Sequence, residues 1–202
     1  MSEIIKNLDS SSGPGLSEIP TKIIKAAVDT IAPIFTELFN DCFTTSNIPI
    51  EWKSAVVTPL FKKGDPTEIN NYRGISVLPP ISKVFEKLIC LQITSYFLSN
   101  NLFFKGQHGF RKNHSCETAL HELLTDINNI LDKSLIMILL FIDFRKAFDL
   151  VDSNLLLLKL FHYGFDNLAL DLISNYFQER QQTVKNKKTK SSFKRITLGV
   201  PQ

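Results

Sequence analysis

The chain has 202 residues, of which 44% are hydrophobic and 21% are charged, and its formal net charge is +3. This length suits one large or two small domains, and the composition is that of a globular protein with a buried core. Three widely separated cysteines, a polar N-terminus and no apolar run near 20 residues argue against a disulfide scaffold, a secreted protein and a membrane protein.

The first elements are helical. Residues 1–17 are expected to form a flexible leader that ends in a Ser-Ser-Gly-Pro-Gly turn. Apolar residues at helical spacing then predict a helix over residues 23–31, ended by Pro33 and followed by a second helix. The leader is therefore expected to precede a folded region that begins near residue 18.

Strands and a basic turn follow. Residues 52–60 predict a strand, in which Pro59 indicates an edge or a bulge. Lys62-Lys63-Gly64-Asp65-Pro66 predicts a basic turn, and residues 74–78 predict a second strand. Residues 180–198 alternate enough to predict a hairpin with a lysine-rich turn. Helices interleaved with strands without βαβ alternation indicate an α+β fold.

The most apolar run, residues 135–142, predicts a strand buried on both faces. Asp143 follows it directly, and a carboxylate there is costly unless a cation meets it. Mg²⁺ is a candidate, although one aspartate is too few for a two-metal site. Asp149 lies nearby without a decided role, and Asp152 is better explained as a helix cap.

A phosphotransferase of the haloacid-dehalogenase type also begins with a strand that ends in aspartate. That chemistry needs a second aspartate two residues later, where this chain has Arg145. The absence of this second aspartate excludes a phosphotransferase of the haloacid-dehalogenase type.

Several basic side chains have two interpretations. Lys62, Lys63 and Arg73 could hold a triphosphate, or could be solvated loop residues. Arg111 could likewise bind a ligand or be a solvated loop residue. Phe148 could pack in the core or contact a substrate. The basic run of Lys185, Lys187, Lys188 and Lys190, extended by Lys194 and Arg195, could bind nucleic acid or form a solvated hairpin tip.

Taken in order, several short motifs resemble reverse transcriptases of non-LTR retrotransposons, the LINE or jockey-like class, over roughly residues 13–202. These motifs are Trp52-Lys53-x-Ala55, Pro59 to Asp65, Asn71 to Ser76, Lys83-x-x-Glu86-Lys87, Gln107-x-Gly-Phe-Arg111, Phe141-x-Asp143-Phe144-x-Lys146-Ala147-Phe148-Asp149 and Gly199-Val-Pro-Gln202.

The resemblance implies the fingers and part of the palm of a right-hand polymerase, incomplete at the C-terminus. The fingers would occupy roughly residues 18–110 with part of 150–200, and palm segments would lie around the 135–149 strand. The implied activity is RNA-directed DNA synthesis with two Mg²⁺ ions, an RNA template, a DNA primer and dNTPs.

The resemblance also implies site residues. Asp143 would be a catalytic metal ligand, with the backbone carbonyl of Phe144 beside it. Phe148 would exclude a ribose 2′-OH, and Gln202 would lie against the nucleotide. Lys62 or Lys63, with Arg73, would hold the triphosphate, while Arg111 and the lysines of 185–190 would contact nucleic acid.

The family's Y-x-D-D block, which carries further metal ligands, is not among these 202 residues, nor are the remaining palm and the thumb. The chain by itself is therefore expected to be inactive. The alternatives are a non-catalytic RNA- or DNA-binding remnant of a retroelement and a plain scaffold domain. An intracellular location is expected, with nucleus and cytoplasm both open.

Overall fold

A computed structural model of the chain describes residues 1–187 and 189–201. The chain divides into two compact units, Met1–Leu91 together with Lys146–Gln202, and Gln92–Arg145. Helix α4, Pro80–Ser99, begins in the first unit and ends in the second. Helices and a mixed sheet together confirm the predicted α+β class.

The first unit contains most of the helices. Besides the start of α4, they are α1 (Ser2–Lys6), α2 (Thr21–Ala26), α3 (Val28–Thr45), α6 (Ser153–His162) and α7 (Asn167–Phe177). Short 3₁₀ helices lie at Gly15–Ser17, Ile50–Lys53, Ile69–Asn71 and Phe148–Leu150. None of the helices described is long and apolar enough to cross a membrane.

The same unit contains the sheet, whose strands are β1 (Ser54–Phe61), β2 (Tyr72–Val77), β3 (Gln181–Asn186), β4 (Thr189–Lys190) and β5 (Lys194–Arg195). β1 pairs antiparallel with β2 and parallel with β3, while β4 and β5 pair antiparallel with β3. Pro59 lies beyond the four β1 residues that pair with β3, which agrees with its predicted edge position.

An aromatic cluster forms the centre of the core. Phe39 of α3 meets Trp52 edge-on with ring centroids 5.4 Å apart, and Phe85 of α4 lies 5.1 Å from Phe39 and 5.5 Å from Trp52. All three rings are buried. Aromatic pairs of this kind contribute about 0.5–1.5 kcal/mol each beyond their burial. The cluster therefore holds α3, α4 and the residues before β1 together.

Residues 1–17, expected to form a flexible leader, instead pack on this core. Ile5 of α1 is wholly buried, because Ile4, Ile5 and Leu8 lie against the core cluster. The Lys83 ammonium donates a 3.0 Å hydrogen bond to the carbonyl of Gly13 and contacts the Ser12 hydroxyl. The short apolar pattern of this segment is enough to dock it once α3 and α4 are in place.

Pro33 does not end a helix as predicted, since it lies inside α3 and the break falls at Ala27. Pro33 takes a hydrogen-bond donor away from the carbonyl of Asp29, an exposed residue at the start of α3. Water can replace that donor at an exposed helix start, so the helix continues.

The second unit contains the end of α4 and helix α5, Cys116–Leu131. Ser115 is the N-cap of α5. Its hydroxyl oxygen accepts from the Thr118 amide at 3.3 Å, and the Ser115 amide donates to the Thr118 hydroxyl at 2.9 Å. These reciprocal bonds satisfy amide groups that the first turn leaves unpaired.

The predicted buried strand at 135–142 is wrong. This segment has no strand geometry, and Ile136 and Ile138 are 92% and 90% exposed. A buried strand needs neighbours that satisfy its backbone N–H and C=O groups, and the strand pairings of the described residues do not include this segment. Apolar composition predicted burial, but pairing decides whether a strand forms.

Candidate nucleotide and nucleic-acid site

The three residues predicted to hold the triphosphate lie at one end of the β1–β2 hairpin. Leu60 pairs with Arg73 and Phe61 with Tyr72, and the Lys62 amide then donates to the carbonyl of Asn71 at 2.8 Å. Lys62, Lys63 and Arg73 are all exposed. The pairing therefore concentrates three cationic side chains, close together along the hairpin, where they face solvent.

Local hydrogen bonds shape the turn of this hairpin. The Asp65 carboxylate accepts from the Thr67 amide and hydroxyl at 2.8 and 2.7 Å, and these bonds lower the pKa of Asp65. Gly64 has φ +93°, and a Cβ there would lie 2.8 Å from the Asn71 side chain. Glycine and aspartate thus satisfy the geometry that the chain reversal requires.

Two other predicted blocks meet on the first unit. The Val200 amide donates to the carbonyl of Phe148, and the Gly199 amide donates to the carbonyl of Val151, both at 2.9 Å. Gly199 has φ +85°, and a Cβ there would lie 2.8 Å from the carbonyl oxygen of Asp149. These contacts hold the 199–201 segment against the Phe148–Leu150 3₁₀ helix. Gln202 lies outside the described residues.

The expected metal ligand, Asp143, lies in the second unit with Phe144, and both are exposed. A carboxylate oxygen and a backbone carbonyl are ligand types that Mg²⁺ accepts, so this donor set fits one side of a metal shell. Across the residues that the structure describes, no group of three or more His, Cys, Asp or Glu could hold a metal ion. A two-metal site needs carboxylates from more than one segment of a chain.

Asp152 is a helix cap, as predicted. Its carboxylate accepts from the amides of Asn154 and Leu155 at 2.8 and 3.1 Å, at the start of α6. This confirms the structural role that the sequence favoured for it.

The lysine-rich hairpin places like charges opposite one another. Lys185 of β3 pairs with Lys190 of β4, and both are exposed, as is Lys187 in the turn. Lys190 also lies 3.7 Å from the carboxylate of Glu18. Like charges that face each other across strands are unfavourable and attract an anion. Lys188 lies outside the described residues.

Arg111 is engaged within its own loop. Its guanidinium donates to the carbonyls of Phe104 and Gln107 at 3.2 and 3.1 Å and lies 5.0 Å from the centroid of the Phe103 ring. With Lys105 and His114 it lines a cavity of about 380 Å³ in the second unit. The loop thus uses Arg111 for its own stability and leaves cationic groups around an open space.

A buried polar cluster was not predicted from the sequence. Tyr176 of α7 donates from its hydroxyl to the Glu86 carboxylate at 2.5 Å, and Arg180 lies 4.4 Å above the Tyr176 ring. Lys53 is also buried, and its ammonium donates to the side-chain and backbone oxygens of Asn175 at 3.2 Å. Glu86 and Lys53 belong to the motifs that carry the family resemblance. The burial of Lys53 and the partial burial of Glu86 depend on long-range packing, which local sequence patterns do not indicate.

Burial shifts the ionisation of this cluster. Desolvation raises the pKa of Glu86 and of Tyr176, and lowers the pKa of Lys53, because in each case it disfavours the charged form. Arg180, which stays charged, lowers the pKa of Glu86 in opposition to desolvation. Nε and Nη2 of Arg180 are buried and lack a hydrogen-bond partner among the described residues. Each unsatisfied donor of this kind costs about 1–3 kcal/mol or more.

Replacing Gly199 with alanine is expected to lower the free energy of unfolding by about 1–3 kcal/mol, because a non-glycine residue is strained at this φ and its Cβ meets the Asp149 backbone. Urea denaturation measures the change. Gly109→Ala is the control, since a Cβ there meets nothing within 4 Å. Equal stability of the two variants would contradict the docking of the 199–201 segment.

The raised pKa of Glu86 predicts a pH dependence of stability. The folded state holds the Glu86 proton more tightly than the unfolded state does. The contribution of Glu86 to the free energy of unfolding therefore falls as the pH rises from 4.5, the ordinary pKa of this side chain, towards its raised pKa in the folded state. Glu86→Gln is expected to flatten this part of the profile of unfolding free energy against pH. Glu37→Gln, at an exposed position, is the control and should keep the wild-type slope. An unchanged slope in Glu86→Gln would show that Glu86 is not desolvated.

Comparison with known proteins gives a consistent result. Residues 61–202 match the family described as "Reverse transcriptase (RNA-dependent DNA polymerase)". Two relatives from Drosophila melanogaster are the "Probable RNA-directed DNA polymerase from transposon X-element", 30% identical over 100% of this chain, and the "RNA-directed DNA polymerase from mobile element jockey", 28% identical over 98%.

A third relative from the same fly, the "Probable RNA-directed DNA polymerase from transposon BS", is 27% identical over 99% of the chain. In each case the match covers 22% of the relative. The chain therefore spans about a fifth of the length of these curated relatives. The jockey-like resemblance seen in the sequence is confirmed.

Proposed function

The chain belongs to the reverse transcriptase (RNA-dependent DNA polymerase) family, and we propose that it forms the fingers and part of the palm of a polymerase that copies RNA into DNA. The fingers are residues 18–110 with part of 150–200, and the palm segments surround residues 135–149. The substrates are dNTPs, an RNA template and a DNA primer.

The observation that carries this proposal is the basic end of the β1–β2 hairpin. Lys62 and Lys63 directly follow β1, Arg73 lies on the paired strand β2, and all three are exposed. The planar guanidinium of Arg73 can bind a phosphate through two parallel hydrogen bonds, while each lysine supplies a compact charge. Together these groups hold the triphosphate of the dNTP.

Phe148 and Gln202 complete the nucleotide site in this proposal. Phe148 limits the space beside the sugar and so excludes a 2′-OH, and Gln202 lies against the sugar and the template base. Support comes from the two backbone hydrogen bonds that hold Gly199 and Val200 against residues 148–151. Contact between these two backbone segments supports a ligand shared by Phe148 and the residues that follow Val200 in the sequence.

Asp143 would hold a metal ion, with the backbone carbonyl of Phe144 as a further ligand. Two Mg²⁺ ions, when bound, supply the charge neutralisation that phosphoryl transfer requires. Asp143 would supply one carboxylate ligand to one of these ions. Because these 202 residues supply this carboxylate from only one segment of the family's metal site, we infer that the chain by itself is inactive.

Nucleic acid would lie along the lysine-rich hairpin and near Arg111. The paired Lys185 and Lys190, with Lys187 between them, contact backbone phosphates without reading the base sequence. Lys188 belongs to the same run. This surface serves a template–primer duplex and requires no metal.

Replacement of Arg73 by glutamine is expected to weaken Mg²⁺-dependent dTTP binding at least about tenfold, because charge-assisted hydrogen bonds to phosphate are lost. Titration calorimetry measures the affinity. Arg195→Gln, which removes one exposed arginine from β5, is the matched control and should bind as wild type. If the two variants bind dTTP equally, the hairpin does not hold the triphosphate.

A second candidate function is a non-catalytic RNA- or DNA-binding remnant of a retroelement, favoured by the exposed lysine pair on β3 and β4. Asp143→Asn separates the two functions. Loss of Mg²⁺-dependent dNTP binding with unchanged RNA binding supports a residual polymerase site. Unchanged dNTP binding by the variant supports the non-catalytic remnant. An absence of salt-dependent RNA binding by the wild type excludes both functions.

A polypeptide of these 202 residues is expected to extend no primer on an RNA template with dNTPs and Mg²⁺, since one carboxylate segment does not assemble a two-metal site. A gel-based extension assay measures this, with an active reverse transcriptase in parallel as a positive control. Clear extension by the isolated chain would overturn the inference of inactivity while leaving the nucleotide site intact.

A further inference from the structure

Arg180 is a buried arginine whose contacts within the described residues leave part of its guanidinium without a hydrogen-bond acceptor. It is 1% exposed, and its Nη1 donates to the carbonyl of Tyr176 at 3.3 Å. Its Nε and Nη2 are buried without a hydrogen-bond partner in the part of the chain that the structure describes. The guanidinium is permanently charged, so two of its donors remain available for an anionic acceptor.

Arg180 also lines a cavity of about 420 Å³ in the first unit. One wall is a face of the sheet, to which Ala55, Val57, Ser76 and Gln182 contribute. Alternation along paired strands places these four side chains on the same face. The volume lies within the range of small-molecule sites.

Two chain segments form the rest of the cavity. One supplies Lys146 and Asp149, and the other is the Gly199–Pro201 segment, which is held by its backbone hydrogen bonds to Phe148 and Val151. The ionisable residues that line the cavity are therefore two cations, Lys146 and Arg180, and one anion, Asp149. The net positive charge favours an anionic ligand.

We propose that this cavity is a phosphate-binding site in which the buried Arg180 is the principal ligand-binding group and Lys146 is the second cation. The ligand is a phosphate group carried by a nucleotide or by a nucleic-acid backbone. The anion site follows from Arg180 and the cavity alone. The choice of phosphate rests on the proposed function, because Gly74, next to Arg73, and Val200, close to Gln202, line the same space.

A purely structural role for Arg180 is the rival account. The guanidinium stacks on Tyr176 and opposes the desolvation of Glu86, and both interactions would persist with an empty cavity. Neither interaction occupies Nε or Nη2. The two accounts differ in one measurable respect: only a binding site makes the stability of the chain depend on added phosphate.

The test is thermal unfolding of the chain in rising concentrations of pyrophosphate at constant ionic strength, with malonate as a carboxylate of similar charge. The wild type is expected to gain stability with saturation, and Arg180→Met to lose at least tenfold in apparent affinity. Lys22→Met removes an exposed cation from α2, is not among the residues that line the cavity, and should respond as wild type. Parallel titrations with dTTP and with an abasic oligonucleotide identify the source of the phosphate by the larger response.

A second variant keeps the test decisive if Arg180→Met unfolds. Gln182→Glu adds a carboxylate to the cavity wall, where it can accept from the guanidinium, so it is expected to fold and to lose the pyrophosphate response. A response retained in Gln182→Glu and Arg180→Met, or an equal response to malonate, would overturn the proposal. A failure of the proposed triphosphate site can be told apart from a failure of the Arg180 site. If only the triphosphate site is wrong, Arg73→Gln leaves dTTP binding unchanged, and pyrophosphate still stabilises the chain through Arg180.

Discussion

The parallel pairing of β1 with β3 is the constraint on which the first unit depends. It joins residues 54–57 to residues 181–184 across more than a hundred residues of chain. Hydrogen bonds from the Gln181 side chain to the Ser54 hydroxyl, at 3.1 Å, and from the Ile48 amide to the Asn175 side chain, at 3.0 Å, reinforce it. Because β1 also carries the hairpin with β2, this single pairing brings the basic hairpin end and the 199–201 segment into one unit.

The same pairing creates the buried polar cluster. Lys53 precedes β1, Arg180 precedes β3, and α7 supplies Tyr176 beside them. Burying these groups costs free energy unless each has a hydrogen-bond or charge partner. Asn175, Glu86 and the Tyr176 ring provide most of these partners. Arg180 is the exception, and its unsatisfied donors make the adjoining cavity suitable for an anionic ligand.

Local chemistry made much of this fold predictable. The Ser115 and Asp152 caps, the Gly64–Asp65 turn and the lysine-rich hairpin each depend on residues within a few positions of one another. The segment 135–142 failed because strand formation requires partners that apolar composition does not specify. Arg180 was missed because an arginine before a strand carries no sign of burial, which here results from the contact with α7. Of the candidate site, the basic hairpin was predicted from its residues, whereas the contact between Phe148 and Val200 and the cavity required the structure.

Hydrogen–deuterium exchange of the chain with and without dTTP and Mg²⁺ tests the central claim most directly, namely that the first unit binds a nucleotide. The account predicts slower exchange in the presence of dTTP at residues 62–73 and 199–201, because the ligand would bridge the hairpin end and the segment held against Phe148. Exchange in the 103–111 loop, which lies in the second unit, serves as the internal reference and should be unchanged. Protection confined to that loop, or no protection anywhere at saturating dTTP, would contradict the account.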